Sequence, residues 1–195
     1  MMNTFERALE RVFFVEGGYS DHPEDKGGKT KYGITEGTYR SWVMAKNKTW
    51  PEDYPPLKDI TKYQASLIYR DLYWDEVRGD ELPPGVSLMV FDSAVHAGPS
   101  RAIKWLQRAV GEKSDGIIGP KTLRAVNWPN RFSYRVLVVA EIAKDRLMLA
   151  RKNETFVKGW FNRIIHILMA SVEGISRYPV TETCVTSNPD KTPPQ

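Results

Sequence analysis

The first helix of this chain is predicted to end within the stretch Phe13-Phe14-Val15-Glu16-Gly17-Gly18-Tyr19. Apolar residues precede Glu16 at helical spacing, which predicts an amphipathic helix over residues 4–16. At about 100° per residue, Glu16 falls near the middle of the apolar stripe, and two glycines stop the helix directly after it. The sequence therefore places a glutamic acid at the C-terminal end of a helix, facing apolar packing. The stripe consists of Phe5, Ala8, Leu9, Val12 and Phe13.

Two interpretations of Glu16 are open on this pattern. Desolvation and the negative end of the helix dipole both disfavour the carboxylate anion. A carboxylic acid kept protonated near neutral pH is what a general acid requires. Alternatively, Glu16 pairs with a buried arginine or caps a loop, because structural ion pairs also perturb carboxylates. The pattern alone does not choose between the two.

Composition bounds the partners of the chain. Its 195 residues, 41% hydrophobic and 27% charged, suit a globular domain with a sizeable core. The net charge of +4 favours an anionic polymer such as nucleic acid, anionic lipid or bacterial wall. Since there is no clustered Lys/Arg run, nucleic acid is not predicted as a partner.

Cysteine and hydropathy patterns exclude several classes of protein. Cys184 is the single cysteine, so no intramolecular disulfide forms, and no Cys/His set has zinc spacing. We therefore expect no zinc site. Charged residues at 6, 7, 10 and 11 interrupt any apolar core of a signal peptide. The sequence contains no run of 18 apolar residues, so we expect no transmembrane helix. We expect synthesis in the cytoplasm without a signal peptide.

Periodicity predicts an all-α globule with one short departure from helix. That departure is residues 17–35, a loop or short β-hairpin in which Gly17-Gly18 and Gly27-Gly28 are turn signals. Thr61-Lys62-Tyr63-Gln64 is a capping-box pattern at the start of one helix. Residues 86–97 are apolar on nearly every side, which is typical of a central buried helix. Helices are predicted over residues 4–16, 35–46, 61–74, 86–97, 100–110, 120 onward, 133–151 and 154–172.

The 16–35 segment contains the groups that glycoside hydrolysis requires. One carboxylic acid must protonate the leaving oxygen, while a second group activates water or stabilises the oxocarbenium-like transition state. Asp25 and Thr30 face Glu16 across a cleft if the loop folds back from the helix end. The alternative is that Asp25 belongs to a solvated turn. Spacing alone favours that alternative.

Six ordered stretches of the chain resemble a known family. They are Glu16 to Ser20, Asp25 to Thr35 (DKGGKTKYGIT), Tyr69 to Trp74 (YRDLYW), Phe91 to Gly98 (FDSAVHAG), Leu106 to Gly111 (LQRAVG) and Asp115 to Leu123 (DGIIGPKTL). Together they resemble glycoside hydrolase family 108, N-acetylmuramidases with a lysozyme-like fold. The last two stretches look like the predicted peptidoglycan-binding region found with this hydrolase. The resemblance spans about residues 5–170 and implies a lysozyme-like helical globule.

The resemblance assigns roles to individual residues. The catalytic acid of the family carries over onto Glu16. Asp25 and Thr30 approximate the Glu, Asp, Thr order of phage lysozymes, in which the last two position the attacking water. The gap between Asp25 and Thr30 is shorter here by one residue. Predicted substrate contacts are Tyr19, Tyr32, Asp92 and His96.

Position 96 departs from the family pattern, for which we expect Asn. Because Asp92 and His96 lie four residues apart on the predicted buried helix, they can instead form a buried polar pair. That structural interpretation is the stronger one for these two residues.

The resemblance thus implies an endolysin that hydrolyses the β-1,4 bond between N-acetylmuramic acid and N-acetylglucosamine, a reaction for which we expect neither a metal nor a cofactor. The predicted organisation is a catalytic region over 1–95, a peptidoglycan-binding-like helical region over 96–177 and a flexible tail over 178–195. We expect a monomer that acts on the wall in the periplasm and depends on a holin-type protein for access. A lytic transglycosylase and a non-catalytic wall-binding or secretion-related protein remain alternatives.

Overall fold

The computed structural model describes residues 3–16, 19–20, 29–47, 51, 54–127, 137–138, 140–145 and 165–166. These residues are mostly helical, with a small antiparallel sheet directly after the first helix. This arrangement confirms the predicted lysozyme-like helical fold with a short β segment after the first helix. The chain divides into two compact units, Met1–Trp74 and Asp75–Gln195.

The described residues of the first unit form three α-helices and a three-stranded sheet of order β1-β2-β3. A short 3₁₀ turn, Leu57–Asp59, precedes the third helix. The elements are α1 (Thr4–Glu16), β1 (Tyr19–Ser20), β2 (Thr30–Lys31), β3 (Ile34–Thr35), α2 (Glu36–Asn47), α3 (Lys62–Tyr69) and a π-helical turn (Arg70–Trp74).

Helix α1 begins and packs as its sequence predicts. Asn3 and Glu6 form a reciprocal cap, in which the Glu6 N–H donates to Asn3 Oδ1 at 2.8 Å and the Asn3 N–H donates to Glu6 Oε2 at 2.9 Å. The apolar stripe is buried, and the Phe5 ring packs on Trp74 with centroids 5.3 Å apart. This packing fixes the helix whose last residue is Glu16. The buried members of the stripe are Phe5, Ala8, Leu9 and Val12.

Helix α3 confirms the predicted capping box. The Gln64 N–H donates to Thr61 Oγ1 at 3.1 Å, and the Thr61 N–H donates to Gln64 Oε1 at 2.8 Å. The α-helix ends at Tyr69, however, and the chain continues as the π-helical turn instead of the α-helix predicted to Trp74. In this wider turn, the Arg70 guanidinium lies 5.1 Å from the centroid of the Phe5 ring.

The second unit is built around the predicted buried helix. Helix α4 (Pro84–Ala97) follows a 3₁₀ turn at Gly79–Glu81 and is buried from Gly85 to Phe91 without interruption. It packs against α5 (Pro99–Val110), which begins after Gly98. Helix α6 (Pro120–Val126) has proline at its first position, where the missing N–H costs nothing. Residues 137–138 and 140–145 are also helical, within the helix predicted over 133–151.

Gln107 organises the loop between α5 and α6. Its side chain is 1% exposed, and its Nε2 donates to Asp115 Oδ1 at 2.8 Å and to the Ile117 carbonyl at 3.0 Å. Its Oε1 accepts the Gly116 N–H at 2.9 Å. At Gly116, φ is +83° and an added Cβ would lie 2.6 Å from Ser100 Oγ, so only glycine fits the turn. The loop is therefore fixed from inside the unit.

Within the described part of the chain, no helix is long and apolar enough to cross a membrane. Most of the helix predicted over 154–172 and the tail predicted over 178–195 lie outside the described residues.

Candidate active site

Sheet pairing places Thr30 beside a residue that follows the end of α1 closely in the sequence. In the antiparallel register, Ser20 pairs with Thr30 and Tyr19 pairs with Lys31. Ser20 follows Glu16 by only four residues, whereas Thr30 follows it by fourteen. Through this pairing, Thr30 lies next to a part of the chain that is much nearer to Glu16 in sequence than Thr30 itself is. Thr30 is half-buried.

The other predicted groups of this segment are placed only in part. Glu16 is the last residue of α1, one turn after the buried Val12. Tyr19 lies in β1, but its side chain lies outside the description, as does that of Glu16. Asp25 lies outside the described residues altogether. The roles assigned to these residues stay predictions.

Tyr32 occupies an unusual backbone conformation in the turn between β2 and β3. Its φ is +52° and that of Gly33 is +74°, so both residues of a two-residue hairpin loop are left-handed. Such loops match the twist of the strands, but they favour Asn-Gly or Gly-Gly because a bulky residue at positive φ is strained. The surrounding structure must hold Tyr32 in place.

Aromatic residues from α1 and α3 surround this turn. The Tyr69 hydroxyl donates to the Tyr32 carbonyl at 2.9 Å. The Phe13 ring lies 5.4 Å from the Tyr32 ring and 5.8 Å from the Tyr69 ring, measured between centroids. Phe13 precedes Glu16 by three residues, so the same cluster contacts both the hairpin and the last turn of α1.

Lys31 adds a cation beside the turn. Its Nζ donates to the Lys58 carbonyl and lies 5.4 Å from the centroid of the Tyr32 ring. These contacts attach β2 to the 3₁₀ turn at Leu57–Asp59. The hairpin is therefore held on one side by Tyr69 and on the other by Lys31.

A second polar constellation in this unit was not predicted from the sequence. Trp42 Nε1 donates to Asp71 Oδ2 at 2.8 Å, and Lys46 Nζ lies 2.5 Å from the same oxygen. Burial by itself raises the pKa of Asp71, but the hydrogen bonds from Lys46 and Trp42 outweigh it, so the pKa lies below its ordinary value. The spacing of Trp42 and Lys46, which lie four residues apart on one face of α2, is the sequence feature that could have indicated this constellation.

This constellation borders an open groove of about 520 Å³ on α2. Asp71 already binds Trp42 and Lys46, which ties the π-helical turn to the helix. We therefore assign Asp71 to packing between elements. The groove is lined by Gly37, Thr38, Ser41, Trp42, Ala45, Lys46, Asp71 and Leu72.

Asp92 and His96 lie one turn apart on α4 in the second unit. The distance from His96 Nε2 to Asp92 Oδ1 is 3.9 Å, which is an ion-pair distance when His96 is protonated but is too long for a hydrogen bond. The two side chains lie next to each other, as predicted. The prediction of a buried pair was wrong, because the His96 side chain is 24% exposed and that of Asp92 is 14% exposed. The substrate contacts predicted for both stay predictions.

No group of three or more His, Cys, Asp or Glu residues suited to holding a metal ion occurs among the described residues. The groups that the described part of the site offers are the Thr30 hydroxyl, the Lys31 ammonium and the Tyr32 ring.

Comparison with known proteins identifies two regions. The family model for glycosyl hydrolase 108 matches residues 9–98, and that for a predicted peptidoglycan domain matches residues 101–165. A solved structure described as SagA of Brucella abortus is 39% identical to this chain, with a TM-score of 0.70. The match covers 90% of this chain and 97% of the SagA chain. A comparison with curated proteins gave no match.

Proposed function

We propose that this chain, which belongs to glycosyl hydrolase family 108, hydrolyses the β-1,4 bond between N-acetylmuramic acid and N-acetylglucosamine. The family and the peptidoglycan domain that follows make the chain a glycoside hydrolase acting on peptidoglycan. The choice of bond is the further step. It rests on the resemblance to muramidases around Glu16.

The register of the hairpin is the observation that supports this proposal best. It pairs Thr30 with Ser20, four residues beyond the helix end that carries Glu16. A general acid and a group that orients water must flank one glycosidic bond. The pairing supports the proposal because it puts Thr30 beside a residue only four positions beyond Glu16 in the sequence.

In the proposed reaction, Glu16 donates its proton to the glycosidic oxygen as the bond breaks. Asp25, assisted by the Thr30 hydroxyl, orients the attacking water or stabilises the developing positive charge. Tyr19 and Tyr32 contact the sugars from the hairpin, and Asp92 and His96 are further proposed contacts. The reaction needs proton transfer and water only, so no cofactor enters the proposal.

The proposed biological role is that of an endolysin. Peptidoglycan lies beyond the cytoplasmic membrane, and we propose that a holin-type protein gives the enzyme access to it. The net charge of +4 supports attraction to an anionic wall. We propose that the protein acts there as a monomer.

Mass spectrometry of the muropeptides released from purified peptidoglycan tests the reaction. Hydrolysis of the proposed bond yields fragments with reducing N-acetylmuramic acid ends. Anhydro-muramic ends would instead identify a lytic transglycosylase, in which no water attacks. Reducing N-acetylglucosamine ends would show that the other glycosidic bond is cleaved.

A further inference from the structure

We infer that Tyr69 is a positioning residue for hydrolysis, because its hydroxyl holds the strained hairpin turn that fixes Thr30. The inference rests on the proposed function of Thr30. It begins from Tyr32, the first turn residue, whose φ of +52° is unfavourable for a bulky side chain. Strained backbone persists only where the surrounding structure determines it.

The Tyr69 hydroxyl is well placed to determine the conformation of this turn. It donates to the Tyr32 carbonyl at 2.9 Å, and the Tyr69 side chain is only 1% exposed. A buried residue at the end of α3 offers a rigid donor, since its ring cannot move without disturbing the core. The hydrogen bond therefore acts on the turn from a fixed point.

The turn in turn sets the position of Thr30. Tyr32 follows Thr30 by two residues, and β2 and β3 pair as Thr30 with Thr35 and Lys31 with Ile34. Beyond the strands, the Glu36 N–H donates to the Lys29 carbonyl at 3.0 Å and closes the hairpin. A change in the turn is thus transmitted to Thr30, because the register of a hairpin follows from its turn.

The same tyrosine also contacts the helix that carries Glu16. Its ring meets Phe13, one turn before Glu16, at a centroid distance of 5.8 Å. Tyr69 therefore links the two segments that hold the proposed acid and the proposed water-orienting group. Small displacements of such groups are costly for a reaction that needs both in register.

Tyr69→Phe tests the inference because it removes the hydroxyl and keeps the ring. On soluble uncross-linked glycan strands, we expect kcat to fall by about tenfold to a hundredfold, with KM changed less than about twofold. Tyr63→Phe is the matched control. Tyr63 lies on the same helix and is 71% exposed, so the kcat of the Tyr63→Phe enzyme should equal that of the wild type.

A double-mutant cycle with Thr30→Ala separates positioning from general destabilisation. If Tyr69 acts through Thr30, Tyr69→Phe lowers kcat in the wild-type background and lowers it no further in the Thr30→Ala background. A destabilising change would reduce activity equally in both backgrounds. An equal loss in both, or a wild-type kcat for either single variant, overturns the inference.

Hydrogen exchange tests the structural step without using activity. In Tyr69→Phe, amides 31–36 should exchange faster than in the wild type, while Tyr63→Phe leaves them unchanged. Unchanged exchange in Tyr69→Phe overturns the inference even where hydrolysis is established. A wild-type enzyme that releases no reducing muramic ends, combined with faster exchange in Tyr69→Phe, contradicts the proposed function and leaves Tyr69 a purely structural residue.

Discussion

At the scale of single residues, the sequence predicts positions along elements better than positions across them. Glu16 was placed at the end of a helix from the apolar stripe and the two glycines, and α1 ends there. The neighbour of Thr30 was not predictable. Strand register depends on the turn, and Tyr32 carries no local signal for positive φ. Among the described residues, the contacts with Tyr69, Phe13 and Lys31 support that conformation.

Asp25→Asn tests the water-orienting role at this scale. Replacing the carboxylate with an amide of nearly the same shape should lower kcat by about a hundredfold or more, because the amide is a poor base and carries no charge. The unfolding midpoint should change little. Asp59→Asn, at an exposed acid in the same unit, is the control with expected wild-type kinetics. Unchanged turnover in Asp25→Asn would make Asp25 a turn residue.

At the scale of elements, local signals gave the helix starts but not every helix interior. The capping box of α3 was predicted from four residues. The change to a π-helical turn at Arg70 was not, because apolar spacing is the same until tertiary contacts select one geometry. Gln107 was likewise missed, since a polar residue on a buried face is explained only by the loop that it binds.

Gln107→Leu should lower the free energy of unfolding by about 1–3 kcal/mol, because it removes the hydrogen bonds to the partly buried Gly116 N–H and Ile117 carbonyl and to Asp115. Thr122→Val is the graded comparison. Nε2 has two hydrogens, which its shorter bonds use, and the contact with Thr122 Oγ1 is longer at 3.3 Å. Thr122→Val should therefore cost less than about 1 kcal/mol. Urea unfolding measures both, and equal losses would show that Gln107 is not the centre of the network.

At the scale of the whole molecule, buried or hydrogen-bonded carboxylates make stability depend on pH. Glu141 accepts from Lys144 Nζ at 2.6 Å and from Arg108 Nε at 2.7 Å. The hydrogen bond from Lys144, followed by that from Arg108, lowers the pKa of Glu141 below its ordinary value. The pKa of Asp115 is lowered likewise, first by the hydrogen bond from Gln107.

Because these carboxyl groups are more acidic in the folded state, their contribution is complete above the unfolded pKa of about 4. It is lost as the pH falls through the folded pKa. Glu141→Gln should therefore be less stable than the wild type at pH 7, with a difference that shrinks towards pH 3. Glu76→Gln, at an exposed acid of the same unit, should follow the wild-type curve. Thermal unfolding across this range measures the effect, and a constant difference would contradict it.

We propose Glu16 as the proton donor, and the substitution Glu16→Gln tests this role. The amide keeps the shape of the side chain but cannot donate the proton. The measurement is the initial rate of reducing-end release from purified peptidoglycan, compared with Glu10→Gln at an exposed position of the same helix. We predict a loss of at least about a thousandfold for Glu16→Gln, with Glu10→Gln at the wild-type rate. A Glu16→Gln enzyme that clears peptidoglycan at the wild-type rate would contradict the assignment.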